Sequence, residues 1–336
     1  MNRPVWNFTP RTHAVCFVAA LWALSSGCGT AAASPSSADG AFTIVVLPDT
    51  QYYARTYPEI LDAQVDWIAA QRQRANIALV AHEGDIVDDD LPGQWQRAAS
   101  SLHRLDGVVP VLLSAGNHDY RRAGAHIDRR TSLDAYFWPQ APSGAVAGEG
   151  TFEPERLENS FVLLSTGAGP WLVLSLEFGP RDAVLEWAGD LLARHADVPA
   201  IVVTHAYLDA DSTRYDHVSR HDQLWNPHRY FADDRPGAVN DGQEIWQKLI
   251  ARHDNVRFVL CGHALDDGIG RLASRRADGS AVHEILANFQ TGALGGAGYL
   301  RIMRFSPHER TVAVQTYSPY LDQFKRDPEN QFDLPY

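Results

Sequence analysis

Cysteine is scarce: three residues in 336, at Cys16, Cys28 and Cys261, so no internal disulfide framework is suggested. Cys261 falls in an apolar strand and is expected to be a small buried hydrophobe. The apolar run at 14–24 has 11 residues, too short to span a bilayer. Positive charge is also in short supply, with 29 Lys and Arg against 41 Asp and Glu and a net charge of −12. Nucleic acid is therefore a poor partner, because its affinity rests on neutralising phosphates with Lys and Arg. The glycine-rich stretch 292–298 lacks the Lys-Ser/Thr pair of a phosphate loop and reads as a turn. There is no internal repeat, and after residue 41 no linker divides the chain. What is present suits a folded body: 45% hydrophobic and 21% charged residues, close to ordinary globular usage.

The first 33 residues differ from the rest. Arg3 and Arg11 are their only charges, the apolar run follows, and small residues close the segment. That order is a secretory signal, which predicts an exported protein, whether periplasmic, secreted or lipid-anchored to the cell envelope. Two endings are open. Residues 24–28 resemble a lipoprotein signal in which Cys28 is acylated, with Ser25 where an aliphatic residue is usual; residues 31–33 fit an ordinary cleavage site. A membrane is thus a partner only through a lipid on Cys28. Removing Arg3 and Arg11 from 29 basic residues leaves 27 against 41 acidic, and the net charge moves from −12 to −14. A tether at 34–40 leads to a single domain at 41–336.

Strands and helices alternate from there. Residues 42–47 form a β-branched run, 59–74 carry helical spacing through Ile60, Val65, Trp67 and Ile68, and 77–81 are apolar again. A helix at 93–104 and a strand at 108–114 extend this into a parallel sheet with crossovers. The second half reads as a hairpin (161–165, 171–176), a helix (181–196), a strand (200–203), a helix (241–253) and a strand (256–260). An antiparallel pair, 299–305 and 311–317, ends the domain.

The chemistry sits where the apolar strands stop, as α/β sheets require. Five strand ends carry polar residues: Asp49-Thr50-Gln51, Gly84-Asp85 with Asp88, Gly116-Asn117-His118-Asp119, Thr204-His205 and Gly262-His263. A lone Gly-Asp or Gly-His after a strand is usually a turn; five in order are not turn chemistry alone. A carboxylate such as Asp85 can bridge two cations about 3.5–4 Å apart, and a shared water is then deprotonated near neutral pH and attacks phosphorus in line. His118 can donate a proton to the leaving alkoxide.

These motifs resemble those of the calcineurin-like metallophosphoesterases, DxH, GDxxD, GNH(D/E), a lone His and GHxH, over roughly residues 41–317. The resemblance implies a four-layer α/β/β/α sandwich of two mixed sheets and two divalent ions, Mn, Fe, Zn or Co. It further implies that Asp85 bridges the ions, Asp49 binds the first, and Asn117, His205 and His263 bind the second. His118 would stand beside the leaving group, oriented by Asp88.

Two departures fall on the first metal: Gln51 replaces the DxH histidine and Leu265 the second histidine of GHxH. A Gln51 oxygen, with Asp266 or Asp267, would make that site oxygen-rich, weaker and suited to Mn or Mg. Asp89 and Asp90 follow Asp88 and predict an acidic rim that repels polyanions, leaving small phosphomonoesters or diesters as substrates. Arg55, Arg121 and Arg122 are candidate phosphate cations but read better as surface residues. His217 and His221 have helical metal spacing inside the insert 206–240, yet read as surface loop; that insert offers Tyr207 and Trp225 as substrate contacts. His82 is expected on the far side of its strand, and Tyr52 and Tyr53 either line the cleft or pack. The function expected is a metal-dependent phosphoesterase. The alternatives are a metal-binding protein with a degenerate first site and weak or no catalysis, or a surface-anchored interaction domain.

Overall fold

The computed structural model describes residues 40–121, 127–138, 146–276 and 278–336. The signal at 1–33 with Cys16 and Cys28, the tether up to residue 39, and Arg122 lie outside the described residues.

In chain order the strands are β1 (Phe42–Leu47), β2 (Ile77–His82), β3 (Val111–Leu113), β4 (Val146–Thr151), β5 (Ser160–Thr166), β6 (Gly169–Leu176) and β7 (Ala200–Thr204). They continue with β8 (Val256–Cys261), β9 (Ile269–Arg275), β10 (Ala281–Ala287), β11 (Leu300–Ser306), β12 (Thr311–Ser318), β13 (Gln323–Lys325) and β14 (Gln331–Pro335). The α-helices are α1 (Gln51–Arg55), α2 (Pro58–Gln71), α3 (Pro92–Leu102), α4 (Leu133–Phe137), α5 (Asp182–Arg194) and α6 (Gly242–Lys248). One sheet runs β13-β12-β11-β1-β2-β3, with β14 also on β12; the other runs β4-β5-β6-β7-β8-β10-β9.

Alternation along the strands produces the layers. Phe42, Ile44 and Val46 of β1 face the second sheet, where Phe42 meets Trp171 at 5.8 Å and Phe305 meets Trp171 at 5.0 Å between ring centres. Val45 and Leu47, of opposite parity, join Ile60, Val65 and Ile68 of α2. Leu172 and Leu174 of β6 likewise belong with Val184, Leu185 and Leu192 of α5. Two mixed sheets thus pack face to face with helices outside them, as the motifs implied.

Local chemistry sets the element ends. Helices α2 and α3 open on Pro58 and Pro92, whose fixed φ suits a first turn and whose missing N–H is not needed there. Helix α6 opens on a capping box in which Asp241 and Glu244 satisfy each other's backbone N–H groups. β3 is shorter than the expected 108–114, because Pro110 has no N–H to pair and begins the ladder only by accepting from Val80 N at 2.9 Å. Helix 241–253 stops early as well, passing into a 3-10 turn at Ile250–Arg252. The pair β11–β12 does not end the fold, since β13 and β14 both add to β12. Among the described residues no helix is long and apolar enough to cross a membrane.

Candidate metal centre

The parallel neighbours β1, β2 and β3 in one sheet, and β7 and β8 in the other, send their carboxyl ends to one edge of the sandwich. Backbone bonds tie the loops together there: Thr50 N–H donates to Asp85 O at 3.0 Å and Gly262 N–H to His205 O at 2.9 Å. Close packing requires glycine at two points. A Cβ on Gly116 would lie 2.2 Å from Asp85 Oδ1, and one on Gly262 would lie 2.2 Å from Asp49 Oδ1. Asp85 and His263 sit at φ of +51° and +71°, a left-handed backbone that costs about 1–3 kcal/mol each and persists only where the surroundings enforce it.

Asp49, Asp85 and His205, all buried, present one ligand atom each within 4.8 Å of one another. Around His205 Nε2 stand Asp85 Oδ1 at 3.3 Å, Asn117 Oδ1 at 3.1 Å and His263 Nδ1 at 3.2 Å. His205 Nδ1 faces Glu83 O at 2.9 Å, which leaves Nε2 pointing inward. Asp49 Oδ1 accepts from His263 N at 3.3 Å and so joins the sheets. Gln51 is buried, its Nε2 donates to Asp88 Oδ1 at 3.4 Å, and its Oε1 has no hydrogen-bond partner among the described residues.

Charge in this pocket is unbalanced. Burial raises the Asp49 carboxyl, and the nearby Asp85 raises it further against the opposing pull of His205. Burial acts the same way on Asp85, but His205 and His118 overcome it and hold that carboxyl well below its usual range. His205 is pushed up to about 9, because Asp85 and Asp49 outweigh its burial, whereas burial and His205 push His263 down to about 3. Two buried carboxylates, imidazole and amide donors around them and an unpartnered amide oxygen make a donor set that fits a divalent cation.

His118 lies at the rim, its side chain 30% exposed. Its N–H donates to Asp85 Oδ1 at 2.9 Å, and its Nδ1 faces the Asp88 backbone oxygen at 2.8 Å. The Asp88 carboxylate is farther, at 3.8 Å, so the orienting group is chiefly the carbonyl rather than the expected side chain. The carboxylate is engaged elsewhere, with Arg55 Nη1 at 2.5 Å.

Several other expectations change. Asp266 and Asp267 are exposed, Asp267 accepting from Ile269 N at 3.3 Å within its own turn, and it is Gln290 that reaches Asp49, its Nε2 donating to Asp49 Oδ2 at 3.3 Å. The acidic rim is largely consumed internally: Arg55 pairs with Asp88, Gln94 bonds Asp89, and Asp90 accepts from Trp95 Nε1 at 2.7 Å and Ser132 N at 3.0 Å. Arg55 therefore belongs to the site's edge, while Arg121 is exposed with Asp90 at 3.7 Å. Tyr53 packs, its hydroxyl accepting from Gly298 N, and Tyr52 stays half-buried under the Arg55 guanidinium. Tyr207 is fully buried against Arg214 and cannot touch substrate; Trp225 is exposed, and its carbonyl faces His263 Nε2 at 2.8 Å. His217 and His221 share no helix. His82 is buried and links the loops, with Thr50 Oγ1 at 2.9 Å and Gly84 N at 3.1 Å.

Gln290 escaped the sequence reading, and Asp119, though seen in its motif, was given no role. Asp119 clamps Gly116 N at 2.8 Å and Val87 N at 2.9 Å, holding the two motif loops together. Gln290 follows β10, which is parallel to β8 and ends at the same edge; recognising 281–287 as a strand would have exposed this sixth strand end.

Fold and site together define a two-sheet α/β protein with a buried carboxylate, imidazole and amide centre. The chain belongs to the calcineurin-like phosphoesterase family, whose sequence model matches residues 42–267. It is also similar to YvnB of Bacillus subtilis (strain 168), an uncharacterised protein, at 31% identity over 292 residues, which cover 83% of this chain and 20% of that protein. The chain thus spans about a fifth of that relative's length. Among solved structures it is similar to GAP50, the anchor in the inner membrane complex of Plasmodium, with a TM-score of 0.46, 10% identity and coverage of 88% of this chain and 90% of that one.

Proposed function

We propose that this chain hydrolyses small phosphate mono- or diesters with divalent ions held at this edge of the sandwich. The observation that carries the reading is the convergence of Asp85 Oδ1, Asn117 Oδ1 and His263 Nδ1 around His205 Nε2, with His118 at the rim. Asp49 and Gln51 would hold a first ion, Asn117, His205 and His263 would hold a second, and Asp85 would serve each. Ions of the Mn, Fe, Zn or Co class supply Lewis-acid stabilisation of phosphoryl oxygens and acidify water.

The chain's own groups do the rest. The Asp88 carbonyl accepts from His118 Nδ1–H, which leaves Nε2 free toward a leaving group. Burial opposes charge on His118, but Asp85 and Asp88 raise its pKa, favouring the protonated form that donates. Arg55, held by Asp88 and 49% exposed, offers the cation for substrate phosphate. With bis-p-nitrophenyl phosphate and p-nitrophenyl phosphate plus Mn, the wild type should turn over and Asp85→Ala should not. Equal rates would refute catalysis at this centre.

A second reading, a metal-binding protein with weak or no catalysis, is favoured by Gln51 and the half-buried Leu265 at the first site. It predicts tight binding of one ion and no turnover in the same assay. Export is proposed from the composition of residues 1–33, and mass spectrometry of the mature N-terminus distinguishes a lipid on Cys28 from cleavage after Ala33.

A further inference from the structure

A second cluster of ligating side chains lies outside the centre above. His217, His228, Asp241 and Glu244 bring one ligand atom each within 4.8 Å of one another. His217 Nδ1 is 2.9 Å from Asp241 Oδ2 and 3.9 Å from Glu244 Oε2, and His228 Nε2 is 2.8 Å from Glu244 Oε2. The two imidazoles stack with centres 3.7 Å apart. Tetrahedral zinc, with bonds of about 2.0–2.2 Å, sets its ligand atoms roughly 3.4 Å apart, inside the range spanned here. Only shifts of about an ångström are needed.

A fifth residue supports this independently. Asp234 Oδ1 is 2.5 Å from His228 Nδ1, so the outer nitrogen is held by a carboxylate and the inner one is aimed at Glu244. That is the arrangement by which an outer carboxylate fixes a metal-binding imidazole. Asp241 is fully buried, while His217 is 36% exposed, which leaves a route from solvent. Capping of α6 by Asp241 uses Oδ1, whereas the oxygen facing His217 is Oδ2.

We infer that His217, His228, Asp241 and Glu244 form a separate site for a zinc-class divalent cation that pins the insert 206–240 beside the catalytic edge. The connection is short. Asn226 Nδ2 donates to Asp241 Oδ2 at 3.0 Å, and the adjoining Trp225 carbonyl faces His263 Nε2. An ion at Asp241 would therefore hold the segment that touches a residue of the catalytic centre. Loading releases protons now shared across the imidazole–carboxylate contacts.

The test is zinc content of the full chain after equilibrium dialysis against Zn²⁺. His217→Ala and His228→Gln should each hold one ion fewer than wild type, with circular dichroism unchanged, while Asp85→Asn keeps this ion. Equal zinc content in wild type and both variants would overturn the proposal. A second measurement needs no variant: trypsin cleavage after Arg220 and Arg229 should slow about tenfold in zinc-saturated against chelator-treated wild type, because an ion bound only to the ordered insert disfavours its opening. Unchanged cleavage would also overturn it.

Discussion

Replacing Gly116 by alanine should disable the centre without replacing a ligand. The added Cβ would lie 2.2 Å from Asp85 Oδ1 and 2.3 Å from Asp85 N, with the Asp85 carboxyl carbon at 2.8 Å. Contacts under 3.0 Å do not occur at real Cβ atoms, so Asp85 or the loop carrying Asn117 and His118 must move by at least about 0.8 Å. Backbone cannot yield as a flexible side chain would, and Asp119 pins this loop through Gly116 N. A misplacement of about 1 Å costs on the order of 100-fold in rate, equivalent to about 2.7 kcal/mol of transition-state stabilisation. Overpacking should also lower stability by about 1–3 kcal/mol. The assay is kcat/KM on bis-p-nitrophenyl phosphate with Mn, together with bound metal and urea melts. Gly93→Ala is the control: its Cβ meets nothing within 4 Å, and Gly93 lies in α3, where alanine is the better helix former. Activity of Gly116→Ala within about threefold of wild type would show that Asp85 is not held as described, since that is far short of the rate loss a 1 Å displacement entails.

Glu177→Gln should destabilise the fold by about 3 kcal/mol, because this buried carboxylate pairs with Arg129 at 3.1 Å and Arg181 at 2.8 Å; Arg129 would lose its carboxylate partner and Arg181 would keep only Glu153. Burial alone would raise the Glu177 pKa, but the two arginines lower it, so its stabilisation is present above the usual value of 4.5 and lost as pH falls through the lower folded value. Urea melts should therefore show the gap between wild type and Glu177→Gln closing in acid; a gap independent of pH would refute the assignment. Arg55→Ala should raise KM by about tenfold with kcat nearly unchanged, the loss of one charge-assisted hydrogen bond to phosphate. Its pair with the buried Asp88 is open to solvent on the Arg55 side and should matter by about 1 kcal/mol to stability, so a much larger loss would count against that role. Titration of His217→Ala with Mn by calorimetry should resolve one tight and one weaker ion, with Gln51→Ala weakening only the weaker one, at the first site; two equally tight ions would dismiss the degenerate first site.

The residues at the five strand ends were legible because each depends on short-range pattern: an apolar β run, then a polar side chain, preceded by Gly at Asp85, Asn117 and His263. The helices expected from 59 and 93, which begin one residue earlier at Pro58 and Pro92, and the hairpin β5–β6 were readable for the same reason. Gln290 was not, since its partner Asp49 is 241 positions away and its one local signal, the strand 281–287 before it, was not read. His217 and His221 do lie in irregular loop, as read, but the contacts of His217 with His228 and Asp241 across the insert were not legible, because their partners are 11 and 24 positions away.

The sequence by itself determined which donor types stand at the ends of β1, β2, β3, β7 and β8, and that Gln51 and Leu265 stand where the resembling motifs carry histidines. Only the tertiary structure decided how those donors are used. Folding the sheets together turned the acidic run at Asp88 into a set of internal partners for Arg55, Gln94 and Trp95, and left Asp266 and Asp267 at the surface. It also crowded Asp49 and Asp85 into a dry space where burial and like charge raise one carboxyl while His205 and His118 lower the other. The reason is physical: residue type and strand period are encoded over a few residues, whereas desolvation and pairing depend on what the fold brings from elsewhere in the chain.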